Sequence, residues 1–251
     1  MWDTFIVIPM SNVLLWIYEI IGQNFGIAII LFTMLVRAVT WPLTAQQLKG
    51  TQGMQELQKD KEWLNIQKKY KGDKEKLAQE QMRIYKERGI NPLGSCLPTL
   101  IQFPVIIGLY QAIIRALAAT PLSLLNLSRS LYPFLDVTKI IPLNSQFLWM
   151  DLGRPESVQM FGFAVPTLAI IVVITSYIQS KLMTPPANPG DQSAAMGNMM
   201  SIYMPFLMGY FALTFASGLA LYFITSNLLG IAQYAMMGRA NWSNLIPGKK
   251  N

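Results

Sequence analysis

An arginine lies in the middle of the first long apolar stretch of this chain. Residues 26–48 (GIAIILFTMLVRAVTWPLTAQQL) form a stretch that is long and apolar enough to cross a bilayer core. A helix that crosses it needs about 20 residues, each of which adds a rise of about 1.5 Å. Arg37 lies eleven residues after the start of that stretch, and a charge at such depth costs from about 3 to more than 10 kcal/mol. The sequence therefore predicts a transmembrane helix whose arginine faces water or polar groups inside the protein.

The composition is typical of a membrane protein and excludes several kinds of chemistry. Hydrophobic residues make up 52% of the chain and charged residues 13%, with a mean hydropathy of +0.34, whereas soluble domains carry about 25% charged residues. The chain has no histidine and one cysteine, which removes Ser-His and Cys-His catalytic pairs, an internal disulfide and a cysteine metal cluster. We expect a protein that is not an enzyme, with no catalytic residues, no metal site and no cofactor.

The distribution of basic residues predicts the orientation in the membrane. Residues 49–88 carry eleven of the twenty Lys and Arg residues, whereas the loop 118–159 carries only Arg129, Lys139 and Arg154. By the positive-inside rule the first segment is cytoplasmic and the second is outside. Five crossings then place the N-terminus outside and the C-terminus in the cytoplasm. The basic segment suits contact with anionic lipid or ribosomal RNA, or it is simply a solvated helical surface.

The alternation of apolar and charged segments predicts an all-α membrane protein with a bundle of five transmembrane helices. The expected segments are an interfacial amphipathic helix (1–23), the first transmembrane helix (24–48), a cytoplasmic antiparallel helical hairpin (49–90), the second transmembrane helix (91–117), an extracytoplasmic loop (118–159), the third transmembrane helix (160–183), a cytoplasmic loop (184–195), the fourth and fifth transmembrane helices (196–237) and a cytoplasmic tail (238–251). The short connection 216–218 makes the last two helices antiparallel.

The N-terminal segment is expected to lie in the membrane interface rather than to cross the bilayer. Asn12, Trp16, Glu19 and Gln23 recur at spacings of four, three and four, which places them on one face of a helix. A polar face of this kind is typical of interfacial helices. A signal peptide is disfavoured because no basic residue precedes the apolar run.

The surroundings of Arg37 are predicted to be polar but uncharged. No acidic residue lies inside any predicted span, so hydrogen-bond partners must come from water or from neutral side chains: Gln102, Gln111, Thr175, Gln179, Ser226, Asn227 and Gln233. A positive charge in a wet intramembrane pocket would attract acidic peptide segments. The alternative is a structural arginine bonded to backbone carbonyls near Trp41 and Pro42.

Methionines cluster in the fourth predicted span. They are Met196, Met199, Met200, Met204 and Met208. Methionine is a flexible side chain suited to surfaces that accept many apolar partners. Packing in the core or against lipid is the equally open alternative.

Four stretches, in order along nearly the whole chain, resemble the YidC/Oxa/Alb membrane protein insertases in their short bacterial form. Residues 91–113 (NPLGSCLPTLIQFPVIIGLYQAI) resemble the second-span signature of that family, and GIAIILFTMLVRAVTWPL resembles its first span, arginine included. Residues 147–156 (FLWMDLGRPE) and 218–233 (GLALYFITSNLLGIAQ) resemble the segment before the third span and the last span. The likeness includes the charged hairpin between the first two spans.

The resemblance implies a hydrophilic groove that is open to the cytoplasm and to lipid but closed outside. It places Arg37, Thr33 and Gln179 in that groove. Phe223 stands at a position in the last span that is usually Tyr or Trp in this family. Our full set of candidates has three parts. The groove comprises Arg37, Thr33, Gln179, Gln102, Thr175 and Asn227; a surface along which substrates slide comprises Phe223, Tyr222, Met200 and Met204; and a substrate-capture surface comprises Lys59, Lys68, Lys69 and Lys86.

The function implied is insertion of hydrophobic segments and short polar flanks of nascent proteins into the membrane. The expected partners are nascent membrane proteins and the lipid bilayer, with the ribosome and the Sec translocon as further candidates and no specific nucleic acid. The expected location is the bacterial cell membrane. The main alternative is a small-solute transporter or channel, and a second is an intramembrane enzyme, for which the spans offer few reactive residues.

Overall fold

The computed structural model describes residues 1–58, 60–70, 72–89, 97–117, 121–136, 140, 143–160, 163–183 and 192–238. Within these ranges the chain is mostly helical. After a π-helical turn at Asp3–Val7, the helices are α1 (Ile8–Ile20), α2 (Phe25–Gln58), α3 (Lys61–Lys69), α4 (Lys74–Glu87), α5 (Leu97–Leu117), α6 (Pro121–Ser130), α7 (Thr167–Met183), α8 (Gln192–Thr214) and α9 (Ser217–Met236). The strands are β1 (Gln146–Phe147), β2 (Met150–Asp151), β3 (Val158–Met160) and β4 (Phe163–Val165).

Three helical segments in the described part of the chain are long and apolar enough to cross a membrane. They are Asp3–Ile20, Phe25–Pro42 and Ser217–Met236, and a fourth arises if the bent pair Phe103–Leu117 and Leu122–Ser130 counts as one span. Thr167–Met183 and Ser201–Thr214 are apolar but shorter. The membrane character expected from the composition is therefore present, while the count of five spans stays a prediction.

Helix α9 lies at the centre of the bundle. It packs against α2, α5, α7 and α8, and α1 packs against α2 and α5. The largest buried side chains of this core include Tyr18, Phe25, Phe32 and Tyr222. Because so much of α9 is enclosed by neighbouring helices, polar side chains on its faces must find partners inside the protein.

Residues 143–160, which we call the capping loop, cover one end of the bundle. Strands β1 and β2 form a two-stranded antiparallel hairpin, and the following backbone carbonyls accept the first N–H groups of α9. Ser217 N–H donates to Arg154 O at 2.9 Å and Gly218 N–H donates to Leu152 O at 3.0 Å. A Cβ on Gly218 would lie 3.1 Å from Leu152 O, so a larger residue there would require the loop to shift by a few tenths of an ångström. The loop therefore replaces the side-chain cap that this helix start lacks.

The capping loop also holds the start of α7. Glu156 accepts hydrogen bonds from Thr167 Oγ1 at 2.6 Å and from Leu168 N–H at 3.0 Å. A carboxylate at this position complements the positive end of the helix dipole. The third span was expected to begin near residue 160, but strands β3 (Val158–Met160) and β4 (Phe163–Val165) lie there. Helix α7 therefore begins only after Pro166, where Glu156 caps it.

The polar face expected on the N-terminal helix is wrong in one respect, because Asn12 points into the protein. Asn12 Nδ2 donates to Ile8 O at 2.8 Å and to Ser130 O at 2.9 Å, and its Oδ1 accepts from Tyr132 N–H at 2.7 Å. Trp16, by contrast, is exposed. Asn12 thus ties α1 to the end of α6, which is a structural role rather than an interfacial one.

Replacing Asn12 with leucine is expected to lower the stability of the bundle by about 2–4 kcal/mol, because Ser130 O and Tyr132 N–H lose their partner inside the protein. Thermal unfolding in detergent micelles measures the effect. Ser11→Ala is the matched control, since the buried Ser11 hydroxyl donates to Val7 O, one turn earlier in the chain, rather than to α6. Equal shifts in the two variants would contradict the tertiary role of Asn12.

In the segment expected to form the hairpin, α3 and α4 pack against each other around a small core of their own. Leu57, Trp63, Ile84 and Tyr85 are buried together, and the Trp63 and Tyr85 ring centroids lie 5.3 Å apart. Helix α2 does not continue unbroken into the segment expected to form the hairpin. Instead α2 ends at Gln58 and α3 starts anew at its cap, Asp60, whose carboxylate accepts Glu62 N–H at 2.8 Å.

Exposed ion pairs lie within α4 and between the two arms of this hairpin. Arg83 contacts Glu80, Glu87 and Glu62, and Arg88 contacts Asp60 at 2.6 Å. The bond from Glu62 N–H and the bond from Arg88 lower the pKa of the Asp60 carboxyl. Since the folded pKa lies below the unfolded one, this contribution to stability is present above the unfolded pKa and is lost as pH falls through the folded pKa.

Candidate functional site

Arg37 is held by a single residue of α9. Its Nη2 donates to the backbone oxygen and to the Oγ of Ser226, both at 2.7 Å, and its Nε donates to the same Oγ at 3.1 Å. Among the described residues no carboxylate forms an ion pair with Arg37. The arginine is half-buried. Its positive charge is therefore oriented by neutral groups but not neutralised by them.

Gln179 of α7 lies beside the same arginine. A Cβ added to Gly230 would collide with Gln179 Nε2 and would lie 3.4 Å from Arg37 Nη2. Gly230 therefore marks the point where α2, α7 and α9 approach one another. The guanidinium and the Gln179 amide lie side by side there and offer hydrogen-bond donors in one place.

A second polar contact lies between α7 and α9. Asn227 Nδ2 donates to Thr175 Oγ1 at 3.1 Å and to Ser176 Oγ at 2.8 Å. Thr175 in turn donates to Ile171 O at 2.8 Å in its own helix. Asn227 is the residue directly after Ser226. The polar cluster therefore extends from the α2–α9 contact to the α7–α9 contact.

Thr33 lies deeper in the protein than a groove residue would. It is fully buried, and its hydroxyl donates to Ile29 O of its own helix at 2.6 Å. Thr40, on the other side of Arg37, also donates to its own helix, at Val36 O. The side chain of Gln102 lies outside the described residues, although its backbone belongs to α5.

Gln233, one of the neutral side chains expected around Arg37, lies inside the protein. Its side chain is 3% exposed, and its Nε2 has no hydrogen-bond partner within the described part of the chain. A buried amide without a partner costs about 1–3 kcal/mol. Because Gln233 follows Ser226 by seven residues, or two helical turns, it lies on the same face of α9.

The expected sliding surface needs correction at two positions. Tyr222 is 2% exposed and Phe223 is 4% exposed, because this part of α9 packs into the core. Neither can present an open surface in this structure. Met204 is half-buried, and the side chain of Met200 lies outside the described residues. The exposed aromatic side chains in the described part of α8 are instead Tyr203, Phe206 and Tyr210, which sequence periodicity alone did not single out.

The lysines proposed for substrate capture are on the surface of the hairpin. Lys68, Lys69 and Lys86 are exposed, whereas Lys59 lies outside the described residues. Lys69 Nζ lies 5.3 Å from the centre of the Tyr70 ring. Arg83 and Arg88 are occupied by the ion pairs described above and so add no unpaired charge to this surface.

Comparison with known proteins places these features in a family. The sequence model of the 60Kd inner membrane protein family matches residues 16–243. The chain belongs to this family. The chain is 33% identical over 234 residues to the membrane protein insertase MisCA of Bacillus subtilis (strain 168), covering 92% of this chain and 77% of that protein. It is 32% identical to the membrane protein insertase YidC 2 of Bacillus anthracis, with 92% and 79% covered.

A solved structure of the same family shares the fold. It is described as an active YidC insertase crystal structure with the first transmembrane domain resolved; it matches with a TM-score of 0.56 and 27% identity, over 94% of this chain and 46% of that chain. The present chain therefore spans about half of that longer protein. The resemblance drawn from the four sequence stretches is confirmed.

Proposed function

We propose that this membrane protein insertase receives the polar flank of a nascent membrane protein at the cluster formed by Arg37, Gln179 and Ser226. The observation that carries the proposal is a half-buried arginine that neutral groups orient and that, in the described part of the chain, no carboxylate neutralises. Such a charge attracts carboxylates most strongly where the dielectric constant is low. A short acidic flank would therefore find a favourable site part-way across the membrane.

The energy for insertion comes from the hydrophobic segment of the substrate. Burying apolar surface yields roughly 25 cal/mol per Å², and a segment of about 20 residues is long enough to span the bilayer. That gain exceeds the few kcal/mol needed to move a short, weakly charged flank. No nucleotide or cofactor is required, and the chain acts as an insertase and chaperone rather than as an enzyme.

The route into lipid runs alongside α7 and α9. These two helices contact each other closely and carry exposed apolar side chains, Ile174 on α7 and Leu228 on α9. The hairpin with its exposed Lys68, Lys69 and Lys86 provides the first contact with the nascent chain. Tyr222 and Phe223 are not part of this route because they are buried.

The orientation that fits this mechanism has the N-terminus outside and the hairpin and C-terminus in the cytoplasm of a bacterial cell. The capping loop then closes the outer end of the bundle, and the hairpin lies on the side where ribosomes deliver nascent chains. The ribosome and the Sec translocon remain candidate partners on this cytoplasmic side and within the membrane.

A photo-crosslinking residue at position 179 is expected to capture a stalled nascent chain bearing a single hydrophobic segment. The same residue at position 134 is the control, because Phe134 is exposed beyond the end of α6 and away from the polar cluster. Crosslinking of equal yield at both positions would contradict the proposed path.

Purified protein in liposomes separates an insertase from a transporter. Insertion of the substrate without release of a trapped small solute supports the proposal, whereas solute release without insertion would favour the transporter.

A further inference from the structure

Ser226 restricts where the Arg37 guanidinium can point. Two different nitrogens of Arg37 bond to the same serine, and that serine offers both its Oγ and its backbone oxygen. The planar fork of a guanidinium allows such a grip, which a lysine cannot reproduce. The remaining terminal nitrogen, Nη1, takes no part in these three bonds. The orientation of the charge is thus set by α9 rather than by α2, which carries it.

Gly230 allows the second donor to approach. It lies four residues after Ser226 and therefore on the same face of α9. Glycine inside a helix is less favourable than alanine, so a packing reason for its presence is expected. That reason is close packing, because a Cβ there would collide with the Gln179 amide and approach Arg37 Nη2 to 3.4 Å.

We propose that Ser226 and Gly230 are positioning residues that join Arg37 and Gln179 into one binding site for a carboxylate-bearing flank. Ser226 orients the guanidinium, and Gly230 leaves the space in which the Gln179 amide lies beside it. Neither residue needs to contact the substrate. The inference rests on the proposed function of the cluster, but the positions it assigns can be measured without any substrate.

The first test measures hydrogen exchange at the Arg37 Nε–H by NMR of ¹⁵N-arginine-labelled protein in micelles, with Arg37→Lys used to assign the signal. Ser226→Ala removes the Oγ acceptor, and Gly230→Ala pushes Gln179 against the guanidinium. Both are expected to speed the exchange at least severalfold. Gly72→Ala is the control, because a Cβ at Gly72 meets nothing within 4 Å. Unchanged exchange in both cluster variants would overturn the positioning roles.

The second test compares two single-span substrates that differ only in whether a short flank is acidic or neutral. Gly230→Ala is expected to reduce insertion of the acidic substrate severalfold and to leave the neutral one unchanged. An equal loss for both substrates would indicate general structural damage and would overturn the inference.

A double variant tests whether the collision with the Gln179 amide causes the effects of Gly230→Ala. In a Gln179→Ala background the new Cβ at position 230 has no amide to collide with, so Gly230→Ala should add no further loss and should no longer speed exchange at Nε–H. A further loss of the original size would overturn the role assigned to Gly230. Faster exchange in the single variant without any effect on insertion would leave the positioning intact and would instead overturn the function proposed for the cluster.

Discussion

Arg37→Ala is expected to slow insertion of a substrate with a short acidic flank about tenfold, because losing about 1.4 kcal/mol of attraction raises the barrier by that factor. Arg37→Lys should lose less, since it keeps the charge but cannot grip both Ser226 oxygens through the fork seen here. The measurement is the rate of insertion into liposomes by purified protein. A substrate with a neutral flank of equal length should respond little to either change.

Arg129→Ala is the matched control for the loss of one positive charge. Arg129 is exposed on α6 and far along the chain from the cluster. If Arg37→Ala and Arg129→Ala slow the acidic substrate equally, the effect belongs to the net charge and the role of Arg37 is wrong. If Arg37→Ala slows acidic and neutral substrates alike, the arginine is a structural residue.

Trp63→Ala is expected to open the hairpin formed by α3 and α4. Trp63 is fully buried in a core of four residues, and truncating a buried tryptophan typically costs about 3–5 kcal/mol. So small a core offers few other contacts to offset that loss. Hydrogen exchange of the backbone amides of α3 and α4 should become much faster, while that of α9 stays unchanged.

Two further variants serve as controls for Trp63→Ala. Met82→Ala removes a half-exposed side chain from α4 and should change little. Trp63→Phe keeps an aromatic ring against Tyr85 and also removes the indole N–H, which has no partner within the described residues. It should therefore retain much of the protection. Slow exchange in Trp63→Ala would show that the ion pairs of Arg83 and Arg88 hold the hairpin without its core.

The sequence was enough to predict a polar cluster around Arg37, but it was not enough to identify the residues that position the arginine. It identified Arg37 from its depth in an apolar stretch and named Ser226 among seven neutral candidates. It did not select Ser226, because the face of α9 that meets α2 depends on how the helices rotate against each other. Gly230 was missed, although a glycine in the interior of a helix is itself a signal of close packing.

The errors have physical causes that a single sequence does not reveal. Tyr222 and Phe223 were placed on a sliding surface through a family likeness, but the packing of α9 against its neighbours buries them. Strands of two or three residues in the capping loop are too short to show an alternating pattern. The break at Asp60 had a signal, since an aspartate followed by a charged first turn is typical of a helix start.

The capping loop has a consequence for the electrical insulation of the membrane. Its carbonyls accept the first N–H groups of α9, so moving the loop aside would leave those donors without partners. In the proposed orientation it would also uncover the outer end of the bundle. Moving one charge across a membrane potential of 100 mV is worth about 2.3 kcal/mol. Ions that flow through a continuous water path would dissipate this energy. In the proposed mechanism the cluster takes up polar segments from one side of the membrane, while backbone hydrogen bonds hold the capping loop against the other end of the bundle. A protein built in this way would admit a peptide without discharging the membrane.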